Sequence, residues 1–185
     1  VPDTVADFEQ AIEDQKNDPE YVWAQFEADR ESVLDACSGV PLLESIYDKA
    51  TDMQAATVTS MLVGIEDPQE AAAAREVAAY GFANAAIRAA RADMKMSSDR
   101  ALEEMERLDL PEILMDVELI IGSIYAEDAV ADALEKKYVP AEASIGAIRP
   151  NKISAETRLR VDQVYADHAV QYASAEGPTE SQNWL

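Results

Sequence analysis

Apolar residues recur at helical spacing along nearly the whole chain, and the segment Asp67–Met96 (DPQEAAAAREVAAYGFANAAIRAARADMKM) carries the pattern around which the rest is arranged. Asp67 can cap a helix, Pro68 suits its first position, and Glu70 follows three residues after the cap, as a capping box requires. On a helical wheel Ala71, Ala74, Ala78, Gly81, Ala85, Ala89 and Ala92 form a small-residue stripe that a second helix can approach closely. Val77, Tyr80, Ile87 and Met94 form another stripe on the far side. A helix apolar on two sides belongs in the middle of a bundle.

The same signals divide the remainder. Val5, Phe8 and Ile12 predict a short helix from Asp3 or Thr4 to about Lys16. Asp18 before Pro19 opens a second, to about Cys37, with Val22, Phe26, Val33 and Leu34 inward and Trp23 beside them. Gly39 can end it in the left-handed conformation, and Pro41 opens a third helix running unbroken to about Val63. Ser97 or Ser98 breaks the central helix and caps a short one carrying Leu102, Met105 and Leu108. Asp109 with Glu112 makes another capping box around Pro111. It opens the most hydrophobic helix, from Ile113 through Ile124, which continues past Leu134 and Tyr138 until Pro140. Its bulky side chains are the expected partner of the alanine stripe. Residues 140–150 read as the longest connection. Ser154 then caps a last helix to about Ala175, with Leu159, Val161, Val164, His168 and Tyr172 at roughly helical spacing.

No segment alternates strictly enough for a half-buried strand, and no Asn-Gly or Asp-Gly hairpin turn occurs. The expected fold is therefore all-α, a single-domain bundle of about six to seven helices around a central Ala-rich helix. It occupies residues 1–176, followed by a C-terminal tail over 177–185.

The chain has 37 acidic and 15 basic residues, a formal net charge of -22 and a pI near 4.2. Binding nucleic acid through phosphates needs clustered Lys and Arg, which are absent, and anionic membranes repel such a surface. No run approaches the roughly 18 to 20 apolar residues of a spanning helix, so no membrane insertion is expected. Abundant, periodic apolar residues also argue against disorder. Many Asp and Glu, few Lys and much Ala resemble the proteins of salt-loving organisms, where a Debye length of about 3 Å or less screens the self-repulsion. The composition thus points to a salt-rich environment, the cytoplasm of a halophile or a virion.

Candidate chemistry is sparse. Cys37 has no second cysteine to pair with and sits on an apolar helix face, as a small buried hydrophobe would. His168 is the sole histidine, and nothing around it composes a nucleophilic triad. Tyr165 stands where a Glu-x-x-His metal motif would need Glu, and there is no glycine-rich phosphate loop, so no catalytic residue, metal or cofactor is expected. Arg88 and Arg91 on the central helix, near Tyr80, Asn84 and Tyr47, could receive an anion in a bundle pocket. Trp184 and Leu185 end an otherwise polar tail, as a protein-contact element would.

By elimination the expected role is a non-enzymatic helical structural or adaptor subunit, acting through self-association or a protein partner. A helical-bundle anion sensor using Arg88, Arg91 and Tyr80 is the second reading, which a ligand-dependent rise in melting temperature would reveal. An acidic mimic of nucleic acid, occupying the basic groove of a DNA-binding protein, is the third. It requires the carboxylates to lie in rows on one face, whereas they are spread over every helix.

Overall fold

Asp18 and Asp67 start their helices as the sequence predicts. The Asp18 carboxylate accepts from the Glu20 amide at 3.0 Å, and that of Asp67 from the Gln69 and Glu70 amides at 2.8 and 3.0 Å. The computed structural model describes residues 18–176. The helix expected before Lys16 and the tail carrying Trp184 and Leu185 lie outside them.

Among the described residues the fold is all-α, with eight helices and no strand. In chain order they are α1 (Pro19–Cys37), α2 (Pro41–Thr51), α3 (Ala55–Val63), α4 (Pro68–Arg91), α5 (Lys95–Glu106), α6 (Pro111–Leu134), α7 (Tyr138–Gly146) and α8 (Asn151–Glu176). Packing divides the chain into two compact units after Ile121, with α6 running through the division.

In the first unit α4 is the central helix, packed by α1, α2, α3 and α5. Every residue from Val77 to Ala83 is buried, which a helix with one solvent face could not achieve. The small-residue stripe provides the closest approach. A Cβ on Gly81 would lie 2.6 Å from the Ala50 Cβ and 2.8 Å from the Tyr47 carbonyl oxygen, so it is α2, not the 111–134 helix, that closes on this point. Phe26 of α1 and Ile46 of α2 are buried in this unit, each contributing about 1.5–3 kcal/mol by burial.

In the second unit Ala129 and Ala133 of α6, Ala141 and Ile145 of α7 and Val161 of α8 form the core, flanked by Val130, Val164 and Tyr165. The Tyr138 ring meets the Tyr165 ring edge-on at 4.8 Å between centroids.

Three expected boundaries are corrected by one recurring device. The predicted third helix breaks at residues 52–54, the central helix ends at Arg91 rather than running to a break at Ser97 or Ser98, and α6 stops at Leu134. Each ends on a non-glycine residue with positive φ: Met53 at 58°, Asp93 at 54°, Lys136 at 62°. The hydrogen bonds are the same at all three. Gln54 N donates to Lys49 O and Met53 N to Ala50 O. Met94 N and Asp93 N donate to Ala89 O and Ala90 O, and Lys137 N and Lys136 N to Asp132 O and Ala133 O. These are Schellman closures, and a new helix begins one residue later.

Further corrections follow from this. Met94 lies beyond the end of α4 and is exposed, while Ser98 lies inside α5 and is buried. Asp109 itself has φ of 57° and is not the cap of α6, since Leu110 O accepts from Leu114 N and holds the cap position before Pro111. Residues 138–146 are helical, with Pro140 in the first turn where its missing N–H breaks no bond. The last helix starts at Asn151, so Ser154 is inside it. Leu159 and Tyr172 of this helix are exposed.

Candidate functional site

Two helical stripes with the same spacing face each other in the first unit. Trp23, Phe26, Glu27 and Arg30 of α1 and Asn84, Ile87, Arg88 and Arg91 of α4 each follow i, i+3, i+4, i+7, and together they line an open cleft of about 400 Å³. Both helices hold their residues in place by the start signals described above, Asp18 with Pro19 and Asp67 with Pro68.

The cleft is cationic in a strongly anionic chain. Three guanidinium groups line it against one carboxylate. Arg30 Nη2 pairs with Glu27 Oε2 at 2.7 Å, while Arg30 Nε is buried without a hydrogen-bond partner. Arg88 Nη2 donates to Thr51 O at 3.2 Å, and the Arg91 guanidinium carbon lies 4.5 Å from the centre of the Trp23 ring. Neither Arg88 nor Arg91 has a carboxylate at ion-pair distance among the described residues. Asn84 Nδ2 donates to Tyr47 Oη at 3.4 Å.

Arg88 and Arg91 are thus brought together, but Tyr80 is not in the cleft wall. It lies one helical turn before Asn84, buried, with its ring 5.4 Å from that of Phe26. Burial first, then the nearby carboxylates of Asp29, Glu76 and Asp116, push its hydroxyl up to about 12. Asp116 is itself raised, by burial and then by Asp29 and Glu112. Trp23, Phe26, Glu27, Arg30 and Ile87 are the cleft residues that sequence reading did not assign to a site. The available signal was the seven-residue interval from Trp23 to Arg30, which matches that from Asn84 to Arg91.

The other candidates are less organised. Cys37 is buried, and burial, Glu76 and Glu44 raise its thiol. His168 is half-buried, and its Nδ1 has no hydrogen-bond partner. Among the described residues no group of three His, Cys, Asp or Glu side chains could hold a metal ion, and no helix is long and apolar enough to cross a membrane.

A second surface belongs to α8. From Asp162 to Ala173 none of its residues is buried. Leu159, Gln163, Ala166, Val170 and Ala173, spaced four and three apart in turn, are all exposed. That spacing is the seam of a coiled coil, and Leu159 and Val170 are 70% and 68% exposed. Lys136 steadies the far end of this helix, its ammonium 4.6 Å from the Tyr172 ring centre.

No family model, curated protein or solved structure matches this chain.

Proposed function

We propose that this chain is a non-catalytic helical subunit that works by protein contact, in an assembly formed in a salt-rich cell or virion. The observation that supports this reading is the seam on α8. A helix about 39 Å long has no buried residue from Asp162 to Ala173 and carries Leu159, Ala166, Val170 and Ala173, with Gln163 among them, at heptad spacing. Leu159 and Val170 are largely exposed, and burying those two side chains against a second helix would be worth about 1.5–3 kcal/mol each. The acidic surface is compatible with this role. Multimolar salt screens the repulsion between neighbouring subunits as well as that within each one.

Light scattering coupled to size exclusion tests the proposal, run from low salt to multimolar KCl with the wild type and a Leu159→Glu/Val170→Glu variant. The expected result is a mass above one 20.2 kDa chain at high salt that the variant loses while keeping its helical circular dichroism. A wild type that stays monomeric at every salt and protein concentration, and retains no partner in a pulldown, overturns it.

A further inference from the structure

Independently of the contact role, we propose that the cleft between α1 and α4 is a binding site for a small organic anion: a carboxylate or phosphate group carried on an aromatic ring.

With a net charge of -22, the protein repels anions over most of its surface, yet here three of its nine arginines converge with only Glu27 to offset them. Arg88 and Arg91 have no carboxylate at ion-pair distance among the described residues. Arg88 engages Thr51 O through one nitrogen of a fork that carries five donors, which leaves donors to grip an oxyanion. Arg91 lies over the Trp23 ring, an arrangement that holds its guanidinium in position without neutralising it. Arg30 Nε is a buried donor in the same wall with no partner.

The apolar part of the ligand follows from the remaining wall. Trp23 offers partly exposed aromatic surface beside the cations, with the buried Phe26 and Ile87 in the same wall, and about 400 Å³ lies within the range of small-molecule sites. A bare inorganic anion would leave that surface in water, whereas a ring bearing the oxyanion covers it.

The test is an NMR titration of the full chain at constant ionic strength, with phenyl phosphate and benzoate at millimolar concentrations. It follows the two indole N–H signals, assigned with Trp23→Phe. Both probes should move the Trp23 signal saturably. Phenol and inorganic phosphate should bind about tenfold more weakly or not at all. Arg91→Gln should weaken phenyl phosphate about tenfold, as should Arg88→Lys, which keeps the charge but loses the fork. Arg160→Gln, on α8, should change nothing. Circular dichroism on each variant separates lost binding from lost fold. If neither probe moves the Trp23 signal, or if folded Arg91→Gln and Arg88→Lys bind as the wild type does, the proposal is overturned. Equal binding of inorganic phosphate and phenyl phosphate would overturn the aromatic part of it.

Discussion

Gly81 and Ala50 are packed so closely that a Cβ on Gly81 would stand 2.6 Å from that of Ala50, well inside van der Waals contact. Gly81→Ala should therefore destabilise the protein by about 1–3 kcal/mol, even though alanine is favoured over glycine by about 1 kcal/mol in an open helix. Urea unfolding followed by circular dichroism measures this. Adding Ala50→Gly should restore only part of the loss, because the Tyr47 carbonyl oxygen remains 2.8 Å from the new methyl. A neutral Gly81→Ala would contradict the crossing.

Met53 holds a left-handed conformation that costs an L-residue about 1–2 kcal/mol. Met53→Gly removes that strain but enlarges the conformational freedom of the unfolded chain, so a net gain of up to about 1 kcal/mol is expected. Met53→Ile, β-branched at positive φ, should lose stability instead. Thermal unfolding of the three proteins should rank them glycine, methionine, isoleucine.

Tyr80 links stability to alkaline pH. Its hydroxyl titrates near 10 when unfolded and at about 12 when folded, so the native state holds this proton more tightly. That preference is fully present below pH 10 and is lost as pH rises to about 12, where the buried phenol must ionise. Tyr80→Phe removes the titrating group, so its stability should fall less steeply over the same interval. Parallel slopes for both proteins in urea titrations would exclude the link.

Cys37 should be inert in the native protein, because it is buried and its thiol is raised by burial, Glu76 and Glu44. Iodoacetamide is expected to label it at the rate of unfolding at neutral pH, and rapidly in urea. Mass spectrometry of timed samples decides, and fast labelling under native conditions would show that the α1 terminus opens.

Much of the helix content was legible because the starts are written in residues whose chemistry is local. Asp18 with Pro19 and Asp67 with Pro68 need only their own neighbours to begin a helix, and Gly39, with φ of 82°, ends α1 for the same kind of reason. The ends at Met53, Asp93 and Lys136 were not legible, since no glycine marks them and each left-handed residue is held by closures that only the folded turn supplies. Arg88 and Arg91 were visible as cations on one helix. Their companions Trp23 and Arg30 lie more than fifty positions away in sequence, and only the packing of α1 against α4 brings them together.

The three matching corners also bear on how quickly the chain can fold. Each turns the backbone within three residues, so α2 meets α3 and α4 meets α5 with very little intervening loop, and α6 contributes to one core with α7. The loop-closure entropy of such hairpins is small, and low contact order goes with folding times of microseconds to milliseconds. The left-handed residues trade some final stability for short search distances, so pairs of neighbouring helices can assemble before either unit is complete.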